Sequence, residues 1–112
     1  MKRKDYRGAK CTKRKIEKCI GVCKTYGELE VTYADILSLN ENVKEFETNI
    51  PIDDEYVTDF VIHKVDDTIA VRECVARDLL LKPRMAKLLD ISHEHWCSQG
   101  VSDWKIVTNE EE

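Results

Sequence analysis

Proline and glycine are scarce in this sequence, with two and four residues respectively among 112, and no long apolar run occurs. So few prolines and glycines leave no room for a low-complexity linker, and the sequence shows no internal repeat. No apolar run approaches the ~18 residues of a membrane span, and no signal-peptide pattern follows the N-terminus. Because 42% of the residues are apolar, we expect one compact globular domain. We also expect a cytoplasmic protein with no membrane contact.

Cysteine is present in an odd number, five residues, which argues against a disulfide framework. Cys19 and Cys23 are four residues apart, and Cys11 lies upstream. Together with Cys74, Cys97 or a histidine, they allow the hypothesis of a zinc-containing DNA-binding module. Buried free thiols are the alternative interpretation.

Charge is distributed unevenly along the chain. Residues 1–24 contain ten basic and two acidic residues, whereas residues 25–112 contain eight basic and 20 acidic residues. A basic arm on an acidic body indicates a polyanion or an acidic protein surface as partner, and a solvated tail is the alternative. We therefore divide the chain into a basic arm with a first helix, residues 1–27, and a main domain, residues 28–112.

Apolar periodicity predicts an α/β fold. Thr12 is a suitable N-cap for the first helix, and Gly27 is suited to end it. Pro83 is suited to the first position of the last helix. Spacings of three and four alternate along the chain with spacings of two, which are typical of strands. Three successive strands, a helix and a last strand indicate a mixed sheet with helices packed on it. The predicted helices cover 12–25, 28–40 and 83–98, and the predicted strands cover 43–52, 56–65, 68–76 and 104–107.

Three acidic residues stand beside or within apolar segments. Glu30 lies next to the apolar stripe of the second helix, and Asp59 and Glu73 interrupt two neighbouring strands. Carboxylates on adjacent strands of a hairpin come close enough to share a divalent cation such as Mg²⁺. Such an ion activates water and stabilises the charge that develops in phosphodiester cleavage. The alternative is that each acid faces solvent on a half-exposed strand.

The segment LEVTYADILSLNENVKEFETN, residues 29–49, is followed by the pair Asp59-Phe60 and by the C-terminal strand DWKIVT, residues 103–108. In order and spacing this pattern resembles the TnsA-type transposon endonucleases of the PD-(D/E)XK nuclease superfamily. The resemblance spans roughly residues 28–108. It implies a restriction-endonuclease-like αβββαβ core with a mixed sheet flanked by helices, to which this chain would add a basic N-terminal helix.

The resemblance also implies a catalytic site. Glu30, Asp59 and Glu73 would hold Mg²⁺ or Mn²⁺, the substrate would be DNA, and the partner would be a transposase or another protein subunit. The superfamily places a lysine two residues after its last acid, and here that position is Val75. Arg77 is the nearest residue on the same strand face that could supply the positive charge, although a guanidinium is a poor proton carrier.

The resulting hypothesis is a TnsA-like DNA-binding protein with metal-dependent cleavage of DNA in transposition. The alternative is a catalytically inactive nuclease-fold protein that binds DNA or acts as an adaptor in a mobile element, phage or defence system. Cations near the site would neutralise phosphates without reading sequence. The predicted DNA-binding residues are Lys10, Lys13, Arg14, Lys18, Lys82, Arg84 and Lys87.

Overall fold

A computed structural model describes residues 11–52 and 56–108 of the chain. Six strands and three helices lie in these two ranges. In chain order they are β1 (Cys11–Arg14), β2 (Cys23–Tyr26), α1 (Glu28–Leu39), β3 (Val43–Pro51), β4 (Val57–Lys64), β5 (Ile69–Cys74), α2 (Arg77–Leu80), α3 (Pro83–Ser98) and β6 (Asp103–Val107).

The main sheet has four strands in the order β3-β4-β5-β6. β3 and β4 pair antiparallel, as do β4 and β5, whereas β6 runs parallel to β5. The parallel pair requires a crossover, which the helical segment between the two strands supplies. The predicted α/β class and the predicted mixed sheet with packed helices are therefore confirmed.

The two faces of this sheet carry separate cores. On one face α1 packs through Ala34 and Leu37 on Phe46 and Phe60, together with other buried side chains of the strands. On the other face two clusters form, one of Val61, Val71 and Val101 with Trp96 and Trp104 against it, the other of Val75, Met85 and Leu89. Alternate residues of a strand point to opposite faces, which explains why Phe60 and Val61 belong to different cores.

The predicted N-terminal helix over 12–25 is wrong. The described part of the basic arm, residues 11–26, forms an antiparallel hairpin of β1 and β2. Lys18 and Gly21 both have a positive φ, near 72° and 73°, and such residues interrupt a right-handed helix. In a helix over 12–25, Ile16, Ile20 and Cys23 would share one side; in the structure Ile20 is exposed, whereas Cys23 is buried.

Contacts with β3 favour the hairpin over the helix. The N–H of Ile20 donates to the carbonyl of Phe46, and the N–H of Phe46 donates to the carbonyl of Lys18, both at 2.8 Å. These bonds satisfy backbone groups on an outer strand of the sheet, where unpaired groups would otherwise remain. Tertiary hydrogen bonding therefore overrides the helical spacing of the isolated segment.

The other predicted elements lie within a few residues of the observed ones, with two differences. The strand predicted over 68–76 ends at Cys74, and the short helix α2 follows it. No helix in the described ranges is both long and apolar enough to span a membrane.

Candidate active site

Asp59 and Glu73 lie side by side where β4 and β5 separate. The backbone pairing of these strands reaches Phe60 opposite Arg72, so the next step of the same register places Asp59 opposite Glu73. Both acids are buried, with 1% and 0% of their surface exposed. The structure therefore brings together two of the predicted site residues and contradicts the alternative in which each faces solvent.

Each carboxylate accepts a hydrogen bond from the backbone of the strand that carries the other. The N–H of Asp59 donates to Glu73 Oε1 at 2.9 Å, and the N–H of Cys74 donates to Asp59 Oδ2 at 2.8 Å. The two side chains thus accept hydrogen bonds from backbone N–H groups that lie beyond the last paired residues of the two strands. Hydrogen bonds from N–H groups favour the ionised form of a carboxyl.

A polar network under α3 holds Glu73 from the other side. Ser92 Oγ, which is buried, lies 2.6 Å from Glu73 Oε2, and Trp104 Nε1 donates to the same hydroxyl at 2.9 Å. Because an indole N–H can only donate, the hydroxyl accepts from Trp104 and its single proton is directed to Glu73. Sequence reasoning missed Ser92, although its place on the apolar stripe of Met85, Leu88 and Leu89 marks it as a buried polar residue.

Asn49 is a third oxygen-bearing side chain at this end of the sheet. Thr48 pairs with Phe60 and Ile50 with Thr58, so Asn49 lies opposite Asp59 in the register. It has a positive φ of 61°, and its buried Oδ1 has no hydrogen-bond partner. Strained backbone and unpaired buried polar atoms are uncommon and concentrate at functional sites.

Glu30 is buried in the first turn of α1. Its Oε1 accepts a hydrogen bond from the N–H of Tyr26 at 3.0 Å, which ties the end of β2 to the start of α1. No group of three or more His, Cys, Asp or Glu residues within 11–52 and 56–108 is arranged to hold a metal ion. The structure therefore does not gather the predicted set of three carboxylates.

Val75, where the resemblance would lead one to expect a lysine, lies in an apolar core. Val75 is fully buried in a cluster with Met85 and Leu89. Arg77 does not extend β5, which ends at Cys74; it begins α2 and is exposed. The expectation that Arg77 shares the strand face of Glu73 is therefore wrong, because the chain turns into a helix before reaching it.

Asp59 and Glu73 are the side chains that could hold a divalent cation, because their carboxylates meet at the end of the ladder. Mg²⁺ is usually held by one or two carboxylates, with water and substrate phosphate completing its shell. Asp59 and Glu73 supply the two carboxylates. Asn49, opposite Asp59 in the register of β3 and β4, has an amide oxygen without a hydrogen-bond partner. Two adjacent buried carboxylates repel each other, and a cation or a shared proton lowers that cost.

The predicted DNA-binding residues fall into three groups. Lys13 is exposed on β1, whereas Arg14 and Lys18 bond to the rest of the protein. A second group of exposed residues lies at the start of α3. This part of the helix packs on Val75, just beyond the end of β5. Lys10 is outside the described residues. The exposed residues of the second group are Lys82, Arg84 and Lys87.

The cysteines do not form a zinc set within the described residues, since no group of three metal-binding side chains occurs there. Cys19 and Cys23 both pack at the core under α1, and the Cys19 thiol donates to the carbonyl of Ile20 at 3.9 Å. Burial raises the pKa of the Cys19 thiol to about 12, and the neighbouring Cys23 adds to the rise. Burial also raises the pKa of Cys23. These shifts agree with the interpretation as buried free thiols.

Comparison of the chain with models of known protein families finds no matching family, and comparison with curated proteins finds no match.

Proposed function

We propose that this protein is a DNA-binding nuclease with a restriction-endonuclease-like core, in which Asp59 and Glu73 hold Mg²⁺ or Mn²⁺ for phosphodiester cleavage. The single observation that carries the proposal is the buried pair of carboxylates at the point where β4 and β5 separate. The order α1-β3-β4-β5-α3-β6 with one parallel pair supports the fold assignment. The resemblance of residues 28–108 to TnsA-type endonucleases suggests a transposon end as the DNA.

The roles of the chain's own residues follow from their contacts. Asp59 and Glu73 present carboxylate oxygens, and their hydrogen bonds to the Asp59 and Cys74 backbone fix both side chains. The hydroxyl of Ser92 orients Glu73 and stabilises its charge. When bound, the metal ion supplies the Lewis acid that lowers the pKa of water and stabilises charge on phosphate. Lys82, Arg84 and Lys87, which are exposed at the start of α3, would attract the DNA backbone.

An inactive nuclease-fold protein that binds DNA or acts as an adaptor is the second candidate. The observation in its favour is Val75, an apolar core residue at the position of the superfamily's lysine. Valine can neither orient water nor stabilise developing negative charge. Under this candidate the two carboxylates serve to join β4 to β5 through their backbone hydrogen bonds.

Metal binding and cleavage can be tested separately with the same variants. Asp59→Asn and Glu73→Gln keep the shape of each side chain and remove its charge. We expect Mn²⁺ or Mg²⁺ at ten times its dissociation constant to stabilise the parent by about 1.4 kcal/mol in thermal unfolding, and to support nicking of supercoiled plasmid. Both effects should be lost in the two variants. Asp90→Asn, on the exposed surface of α3, is the matched control and should behave as the parent.

The two candidates give different outcomes. Metal-dependent stabilisation and nicking that both depend on Asp59 and Glu73 would establish the nuclease. Stabilisation by metal without nicking would support the metal centre and indicate that cleavage requires a second subunit. If neither effect occurs while the parent retains DNA in a gel shift, the nuclease proposal is wrong and the inactive candidate replaces it.

A further inference from the structure

The outer face of the β1-β2 hairpin carries two lysines opposite each other. Lys13 pairs with Lys24 in the register of the hairpin, and both side chains are exposed. Among the described residues neither side chain makes a hydrogen bond or an ion pair. Like charges directly opposite on an antiparallel pair destabilise it, with Cβ atoms only about 5 Å apart. This arrangement costs stability in the free protein, so a partner that neutralises both charges would remove the cost.

Arg14 and Lys18, in the same segment, form hydrogen bonds with other parts of the protein. Arg14 Nη1 lies 3.0 Å from Asp35 Oδ1, and its Nη2 donates to the carbonyl of Val31 at 3.3 Å. Lys18 Nζ donates to the carbonyl of Asn40 at 2.7 Å. These two cations fasten the hairpin and its loop to α1. Lys13, Lys15 and Lys24 remain exposed, and of these Lys13 and Lys24 lie opposite each other in the register. Sequence periodicity could not separate the two sets because it placed them on one helix.

We propose that Lys13 and Lys24, here named the lysine pair, bind neighbouring phosphates of a DNA duplex. The inference rests on the DNA-binding part of the proposed function and does not depend on cleavage. Residues 11–26 contain five basic residues and one acid, which favours a polyanion. Lysine is depleted from protein–protein interfaces, whereas it is a regular contact of nucleic-acid phosphates. DNA therefore fits this face better than an acidic protein does.

Binding of a fluorescently labelled DNA duplex, followed by anisotropy over a series of salt concentrations, tests the lysine pair. EDTA in all samples prevents any metal-dependent cleavage. Each phosphate contact contributes about 0.9 to the slope of log K against log salt. The double variant Lys13→Gln/Lys24→Gln should therefore lower the steepness of that slope by about two. Lys44→Gln/Lys105→Gln is the matched control, because it removes two exposed lysines and the same net charge.

The outcomes separate this inference from the nuclease proposal. A slope that falls only in the Lys13/Lys24 variant, with circular dichroism unchanged, supports the lysine pair whether or not the protein nicks plasmid. Equal slopes in parent and variant overturn it and leave the carboxylate site untouched. If both double variants lower the slope equally, net charge explains the effect and the pair is not a site. Binding of the parent to poly-L-glutamate but not to DNA would assign this face to an acidic protein instead.

Discussion

The two faces of the four-stranded sheet are built from different chemistry. The face covered by α1 is built mainly of apolar side chains, with Phe46, Phe60 and Ile62 packed against Ala34 and Leu37. The face covered by α3 contains valines and tryptophans together with buried polar groups of the candidate active site. Apolar contacts stabilise a fold without directional requirements, whereas buried polar groups need every partner in place. The difference indicates that one face mainly provides stability while the other carries the site.

A substitution in the apolar face should have the largest effect and would sharpen this comparison. Phe60 is fully buried and packs edge-on against Tyr33, with ring centroids 5.3 Å apart. We expect Phe60→Ala to lower the free energy of unfolding by about 3–5 kcal/mol, because it removes apolar burial and leaves a cavity. Urea denaturation of purified protein measures the change.

The control for this substitution is Leu39→Ala, since Leu39 is 82% exposed on α1. Its effect should stay within about 0.5 kcal/mol. A loss at Phe60 no larger than that of the control would mean that the face under α1 is not the stabilising core.

Ser92→Ala should have an intermediate effect, on the α3 face. The substitution removes the hydroxyl that bonds Glu73 and accepts from Trp104, and so leaves two buried polar groups short of a partner. We expect a loss of about 1–3 kcal/mol in the free energy of unfolding. The accompanying Trp104 fluorescence change reports on the lost indole hydrogen bond.

Ser98 provides a matched comparison on the same helix. Its hydroxyl donates to the carbonyl of His95 at the exposed end of α3, so Ser98→Ala should be nearly neutral. Equal losses in both serine variants would show that the polar network adds no more than an ordinary helix-surface hydrogen bond.

The smallest effect is expected at Asp103, away from both cores. Asp103 bonds Lys64 at 2.9 Å and Arg72 at 3.0 Å, and the hydrogen bond from Lys64, with a smaller contribution from Arg72, holds the pKa of its carboxyl below the usual 3.8. Because the folded pKa is lowered, the pair stabilises the protein above the unfolded value. This contribution is lost as the pH falls below about 3.8 and through the folded pKa.

Asp103→Asn should therefore cost less than about 1 kcal/mol at pH 7, and the difference from the parent should shrink at pH 3. Urea denaturation at the two pH values provides the comparison. The exposed Asp90→Asn variant removes one negative charge outside this ion pair and is the control. A cost at pH 3 as large as that at pH 7 would contradict the assignment of the ion pair.

Sequence reasoning located two residues of the candidate site and missed others for a physical reason. Asp59 and Glu73 were found because a carboxylate within an apolar strand is conspicuous, and a hairpin register brings such residues together. Asn49 and Ser92 were missed because asparagine and serine are ordinary on surfaces. Their burial depends on which strand and which helix cover them. Arg77 was misplaced because β5 ends where its pairing with β6 ends, at Cys74. The apolar pattern of β5 alone gives no information about that pairing.

Apart from the short helix α2, the sequence by itself determined the order of elements from residue 28 onward. Pro83 and Gly100 delimit α3, and the alternation of apolar residues defines the strands, because these signals are local properties of the chain. Only the tertiary structure decided the form of residues 11–26 and the composition of the site. The hairpin depends on backbone hydrogen bonds to Phe46, and the carboxylate pair depends on partners from separate strands and from α3. Such long-range contacts have no counterpart in local spacing, since their free energy is gained only when distant segments meet.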